Sequence, residues 1–388
     1  MKIGITTFWE TKDNYGQMLQ AWALQQVLIR YGHEPFIIRY QLRGGKPATW
    51  VKTIKTLVKA KLLYPLCKRF NLIDWAVKVG IVYDYMSIHD RCRCFDKFRE
   101  EELHFSNQLY ETYSSLIENP PSADVYITGS DQVWSPSFRK VYFLQFGDKS
   151  VKRISYAPSF GVQTYPQEKK ANLKEALRWF NAISVREKQG AEICNDVGFK
   201  AEWVLDPTLL LNSEDYLNHF VPNSHKSDED YAFIYSINIL KSENIHWEEL
   251  LSILNASNTE AIVTPASGYY QSRELFDGCT YVYATIPEWL NLINKSKFVV
   301  TTSFHGVMFS ILFHKNFVYF PLTDQFSQGN NRVVEILQLL GLTSKIWTEK
   351  SNYETVLSVN IDWVKVDAIL KDHRQLSLDF LEKSLHTS

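Results

Sequence analysis

The chain opens on a short apolar run, residues 2–8 (KIGITTF). It is rich in β-branched side chains, the pattern of a parallel strand buried on both faces. A polar turn follows, Lys12-Asp13-Asn14-Tyr15-Gly16, and then Met18, Trp22, Leu24, Val27, Leu28 and Tyr31 recur at helical spacing. Gly32 ends the helix, and Phe36–Tyr40 reads as the next strand. This βαβ opening sets a cadence that returns along the chain. Strands are predicted at 124–128, 153–157, 182–186, 231–237, 260–264, 280–283, 298–302 and 317–320, with helical stretches such as 287–296 and 307–313 between them. Alternation of this kind predicts an α/β protein whose mainly parallel sheets are covered on both faces.

Residues 46–120 break the cadence and read as a mostly helical insertion, with Trp50, Val51, Ile54, Leu57 and Val58 on one face. Between Lys46 and Phe70 stand Lys46, Lys52, Lys55, Lys59, Lys61, Lys68 and Arg69, and no acidic residue. A basic amphipathic segment of this kind is either a solvated cap on the first domain or a surface for an anionic membrane. The stretch Asn195–Asp230, which holds Pro207, Pro222 and the polar run Asn223–Asp230, marks a domain boundary. The division expected is 1–200, an N-terminal domain containing the insertion at about 46–120; 201–359, a C-terminal domain; and 360–388, a terminal helix.

Composition narrows the class. The 388 residues carry 42 basic against 43 acidic side chains, so the basic excess of a nucleic-acid binder is missing. Five irregularly spaced cysteines predict free thiols in a reducing cytoplasm and no metal site. No apolar run reaches the roughly 18–20 residues of a membrane span.

In open α/β sheets ligands bind beyond the carboxyl ends of the strands, so the residues just after each strand are the ones to read. Asn14, Tyr15 and Gly16 open the first helix, where free N–H groups suit an anion or a sugar hydroxyl, although an ordinary capped turn is the simpler alternative. After the strand ending at Thr128 come Gly129, Ser130, Asp131 and Trp134: a carboxylate able to accept a hydroxyl proton, and an indole that could stack on a sugar. Asp131 could equally be a helix cap. Arg186 ends another strand, and its planar fork suits a carboxylate or phosphate, although an ion pair with Glu187 is the simpler alternative. The strongest signal is Phe298–Thr302 running into Ser303-Phe304-His305-Gly306 and then an apolar helix. This places a proton-exchanging side chain at a strand end and a helix N-terminus together. Asn331 and Arg332 open a later helix and add a second candidate anion-binding arginine. A GxGxxG loop and a Walker loop are both missing.

Taken together, these motifs resemble the polysaccharide pyruvyl transferase family. The resemblance rests on Asn14-Tyr15-Gly16, Thr128-Gly129-Ser130-Asp131-Gln132 with Trp134, Ile154-Ser155-Tyr156-Ala157, Ser184-Val185-Arg186-Glu187, Leu205-Asp206-Pro207-Thr208 and Ser303-Phe304-His305-Gly306. It implies a glycosyltransferase-B-like fold, two Rossmann-like domains facing each other across a cleft. It also implies phosphoenolpyruvate as donor, with no further cofactor, and a sugar or lipid-linked glycan of a surface polysaccharide as acceptor. On this reading His305 acts on the donor, and Arg186 and Arg332 neutralise its carboxylate and phosphate. Asp131 as the base for the sugar hydroxyl is our own assignment. Members often place an arginine two residues before the family histidine; here that position is Ser303, so the charge must come from Arg332 or the donor differs.

Two other functions fit the same fold: a glycosyltransferase using a nucleotide sugar, and a non-catalytic glycan-binding paralogue. The first predicts binding of a nucleoside diphosphate, the second glycan binding indifferent to loss of His305. The expected location is the cytoplasm, with contact at the inner face of the membrane if residues 46–70 serve as a surface anchor.

Overall fold

The protein is described from a computed structural model, covering residues 1–10, 14–41, 58–70, 72, 75–76, 81, 89–222, 230–266 and 274–386. Much of the basic stretch, 46–57, lies outside the described residues.

Two parallel sheets form the framework. The first has the order β3-β2-β1-β4-β5-β6-β7, from β1 (Lys2–Thr6), β2 (Glu34–Tyr40), β3 (Phe105–Tyr110), β4 (Val125–Thr128), β5 (Lys152–Ser155), β6 (Ala182–Val185) and β7 (Glu202–Trp203). The second has the order β10-β9-β8-β11-β12, from β8 (Tyr231–Tyr235), β9 (Glu260–Val263), β10 (Thr280–Tyr281), β11 (Phe298–Thr301) and β12 (Asn316–Tyr319). The central strands β1, β4, β8 and β11 are buried almost along their whole length, as strands covered on both faces must be. The first sheet runs on through β7, a few residues past position 200.

Residues 46–120 are not all helical. They supply β3, which pairs in parallel with β2 at the sheet edge. Its sequence, Phe105-Ser-Asn-Gln-Leu-Tyr, is polar because three consecutive positions face solvent. A buried glutamine fixes its entry: Gln25 Nε2 donates to the His104 carbonyl (2.8 Å), and the His104 N–H donates to Gln25 Oε1 (3.1 Å).

Helix α1 (Tyr15–Arg30) explains how the two halves meet. Asn14 caps it, accepting from the Gln17 N–H. Most of the helix is buried, on more than one face. A helix apolar around its circumference is one enclosed on several sides, and α1 lies between the halves. One hydrophobic cluster contains Ile3, Trp22 and Ile127 of the first half together with Tyr231, Trp289, Val299 and Phe309 of the second. The ring of Tyr15 stacks on Trp289 with centroids 5.1 Å apart. Its hydroxyl donates to the Ala284 carbonyl and accepts from Arg93, whose guanidinium also reaches the Pro265 carbonyl. The last helix, Trp363–His386, returns to the first half, where the Ser377 hydroxyl accepts from the Leu205 N–H (3.0 Å) and Phe380, Leu381 and Leu385 join the same cluster.

Because the core is continuous across the junction, thermal or urea unfolding should show a single transition. Tyr15→Phe should lower its free energy by roughly 1–3 kcal/mol by leaving the Arg93 guanidinium without this acceptor. Two separated transitions, or no effect of the substitution, would contradict this packing.

Candidate active site

The site forms where the carboxyl ends of β4, β6 and β7 in the first sheet meet that of β11 in the second. At its centre is Asp206, fully buried in the loop after β7. Its Oδ1 accepts from the Thr208 N–H (3.0 Å) and hydroxyl (2.8 Å), because Asp206 caps the short turn Pro207–Leu209. Its Oδ2 accepts from the Ser130 hydroxyl (2.7 Å) and from Arg186 Nη1 (3.0 Å). His305 Nε2 stands 3.8 Å from Oδ1, too long for a hydrogen bond but within ion-pair reach once the ring is protonated. Burial pushes the Asp206 carboxyl up, but His305, Arg186 and the Thr208 N–H outweigh it and hold the group well below the usual carboxylate range. Burial likewise disfavours the charge of Arg186, yet Asp206, Asp131 and Glu187 prevail and raise its affinity for the proton.

His305 is the second residue of the helix Phe304–Leu312. Ser303 caps that helix, its Oγ accepting from the Gly306 N–H (3.4 Å). Gly306 packs on β11: a Cβ there would lie 2.3 Å from the Thr301 hydroxyl. Across the junction, Gly16 lies against the imidazole, and a Cβ on Gly16 would come within 1.9 Å of His305 Nδ1. Glycine is required because the N-terminus of α1 closes directly onto the histidine ring.

Two arginines flank Phe304. The Arg186 Cζ lies 4.8 Å and the Arg332 Cζ 5.8 Å from its ring centroid. In the amide orientation that satisfies both partners, Gln132 Oε1 accepts from Arg332 Nη1 (2.6 Å) and Nη2 (3.1 Å). Burial and the neighbouring Arg186 both disfavour the Arg332 charge, which Asp131, Glu187 and Tyr319 restore only in part. Several buried nitrogens at this point have no hydrogen-bond partner among the described residues: Nε and Nη2 of Arg186, Nε of Arg332 and Nε2 of His305. Unpaired buried donors cost about 1–3 kcal/mol each, more when charged, so a group of them calls for a partner.

Asp131 borders this cluster. Its Oδ1 accepts from the Gln132 N–H (2.7 Å) and lies 3.8 Å from Arg186 Nη2. Its backbone is left-handed (φ 76°), a conformation unfavourable for a residue with a Cβ. The Ser159 N–H donating to the Asp131 carbonyl (2.8 Å) helps hold it there. Glu187 in turn fixes that neighbour, its Oε1 accepting from the Ser159 hydroxyl and the Phe160 N–H (both 2.9 Å). Glu187 is therefore a scaffold for the loop, not an ion-pair partner that occupies Arg186.

The structure brings together Asp131, Arg186, Ser303, His305 and Arg332. Other expected ligand contacts are corrected. Trp134 is fully buried, stacked on Phe143 at 5.4 Å with its N–H donated to the Tyr142 carbonyl (2.9 Å), so no face is left for a sugar. Tyr15 is fully buried at the junction. Gly129 packs among Thr7, Ile5 and Leu24, and Ser130 spends its hydroxyl on Asp206. Asn14 is a helix cap, and Asn331 accepts from Gln163 Nε2 (3.3 Å). Asp206, Gln132 and Glu187 join the site beyond the residues that the strand-end pattern points to. The signal for Asp206 was its place after a strand, before Pro and Thr.

Comparison with known proteins fits this geometry. The family model described as polysaccharide pyruvyl transferase matches residues 14–323. No curated protein matches the chain. Among solved structures, an alpha-glucosyltransferase in complex with UDP and a 13-mer DNA containing a central A:G mismatch aligns with 99% of this chain and 95% of its own, at 11% identity and a TM-score of 0.50. Arabidopsis thaliana UGT89C1 complexed with quercetin aligns with 100% of this chain and 99% of its own (12% identity, TM-score 0.47). UDP-GlcNAc 2-epimerase from Neisseria meningitidis bound to UDP-GlcNAc aligns with 97% and 94% (10% identity, TM-score 0.46). What this chain shares with the alpha-glucosyltransferase is the fold: two parallel α/β halves in the glycosyltransferase-B arrangement.

Two outcomes are expected from substitutions here. Gly16→Ala should displace the His305 ring and lower turnover at least about tenfold with the fold retained, checked by steady-state kinetics beside circular dichroism. Asp206→Asn should destabilise by roughly 3–5 kcal/mol, since it takes from the buried Arg186 its nearest carboxylate. Because the Asp206 carboxyl is held low in the folded state, this stabilisation is full above the unfolded value near about 4 and shrinks as pH falls below it. Urea unfolding of both proteins across that range checks the convergence.

Proposed function

The chain belongs to the polysaccharide pyruvyl transferase family and is a transferase; from that premise we propose that it moves the pyruvyl group of phosphoenolpyruvate onto two hydroxyls of a sugar in a surface glycan or its precursor. The observation that supports this donor most is the convergence of the unpaired donors of Arg186, Arg332 and His305. Phosphoenolpyruvate carries a carboxylate and a phosphate on the same carbon, and two guanidinium groups near Phe304 suit two anionic groups on one small molecule.

The chemistry proposed starts at the methylene carbon, which takes a proton from His305 Nε2. The adjacent carbon becomes an oxocarbenium centre, and a sugar oxygen attacks it while Asp131 accepts the hydroxyl proton. A second sugar hydroxyl then attacks the same carbon and the carbon–oxygen bond to phosphate breaks. Of the two hydroxyl protons released, one balances the proton on the new methyl group and the other leaves with inorganic phosphate. The products are the pyruvate ketal and phosphate, with no oxidation or reduction. Arg186 and Arg332 hold the carboxylate and the phosphate and favour the departing charge. Arg332 thus supplies the cation that the family pattern often carries at position 303. The donor is a cytoplasmic metabolite, so the reaction is assigned to the cytoplasm. Among the described residues no helix is long and apolar enough to cross a membrane.

The test is phosphate release from phosphoenolpyruvate in the presence of a pool of nucleotide-linked and lipid-linked sugars. Release should depend on acceptor and fall by at least about a hundredfold in His305→Ala, the scale of a lost general acid. Acceptor-dependent release unchanged in a folded His305→Ala protein would overturn the role given to His305, and no release from wild type over a broad pool would overturn the donor.

A further inference from the structure

From Val58, the first described residue there, the chain runs as a π-helix over Lys59–Leu63 and an α-helix over Tyr64–Arg69. One side is anchored. Tyr64 and Cys67 are buried, and the Tyr64 hydroxyl donates to Glu274 Oε2 (3.3 Å). Glu274 Oε1 accepts from the Tyr283 hydroxyl (2.9 Å), just beyond β10, so the stretch is tied to the carboxyl end of the second sheet. The other side is apolar and open. Leu62 is 62% exposed and Phe70 64%, with Leu63 and Leu66 exposed beside them, and Trp75, farther along the chain, is 52% exposed. Val58, Leu62, Leu66 and Phe70 recur every four residues, as a stripe along one helical face does. Exposed leucine and phenylalanine at this density mark an interaction surface.

We propose that this face seats on an anionic lipid bilayer, with the leucine and aromatic side chains entering the acyl boundary and the flanking cations lying at the headgroups. Charge decides the occupant. Lys61 and Arg69 are exposed at the edge of the stripe, and the chain holds no acidic residue from Lys46 to Phe70. A second copy docking through the same patch would bring its own cations against these, since a two-fold interface places a surface on itself. A nucleic acid would leave the leucines unused. A bilayer takes both features together, an apolar stripe and a basic margin, and the Trp75 indole suits its interface. The surface is separate from the Asp206 site and its assignment is independent of the donor.

The test is flotation of the full chain with vesicles of phosphatidylglycerol and phosphatidylcholine, beside pure phosphatidylcholine vesicles. Wild type should float with the anionic vesicles, bind the neutral ones at least about tenfold more weakly, and release as salt is raised. Leu62→Ser/Leu66→Ser/Phe70→Ser and, separately, Lys61→Glu/Arg69→Glu should each cut anionic binding by about tenfold or more while circular dichroism and turnover on a soluble acceptor stay as in wild type. Wild type left in the soluble fraction, variants floating as wild type does, or a concentration-dependent dimer that the serine variant dissolves would each overturn the proposal.

Discussion

A carboxylate removed from water has to be surrounded by donors, and Asp206 organises the protein around that requirement. Its Oδ2 draws in Ser130 from the end of β4 and Arg186 from the end of β6, while Oδ1 caps the turn at Pro207–Leu209 and faces His305 from the other half. Arg186 is thereby oriented with one nitrogen spent and the rest left unpaired. The same constraint sets the contact between halves. For His305 to reach Asp206, its helix must enter beneath the N-terminus of α1, and that is possible only with glycine at position 16. Enclosure of the carboxylate, orientation of the guanidinium and closure of the junction are thus one arrangement.

From this arrangement the chemistry follows by subtraction. Asp206 has its oxygens committed and stays ionised, so it positions its neighbours and does not exchange protons. Glu187 holds the loop that holds Asp131. What is left without a hydrogen-bond partner are buried nitrogens of Arg186, Arg332 and His305, beside Asp131 in a left-handed backbone that the fold maintains through Ser159. Strain and unpaired charge placed together are features of sites built for a ligand. The glycosyltransferase-B frame supplies only the meeting of two sheets; the use made of it lies in these side chains.

The alternating cadence of buried strands and helices was readable from the residues because parallel strands covered on both faces are nearly continuous Val and Ile runs. The central strands β1, β4, β8 and β11 fall where that pattern puts them. β3 escaped because an edge strand exposed on most of its positions has no such run, and β7 because it is only two residues long. In the site, His305 and Arg186 were legible as polar residues terminating apolar strands. Asp206 was not, since Asp-Pro-Thr also reads as a cap, a role it does fulfil with its other oxygen. Tyr15 and Trp134 misled in the opposite direction: each stands in a turn suited to a ligand, but their rings carry enough apolar surface that the fold takes them inside. The approach of Arg332 to Phe304 depends on the second half folding back, which no local pattern encodes.

We propose that the cluster around Asp206 receives a small enol phosphate with two anionic groups and not a nucleotide. Isothermal titration of the wild-type protein and Arg332→Ala, each with phosphoenolpyruvate and with UDP, addresses it directly. The account predicts saturable heat with phosphoenolpyruvate that Arg332→Ala abolishes or weakens at least about tenfold, the loss of a charged hydrogen bond, and none with UDP. Saturable binding of UDP with no response to phosphoenolpyruvate would contradict it and place the protein among nucleotide-dependent transferases of the same fold.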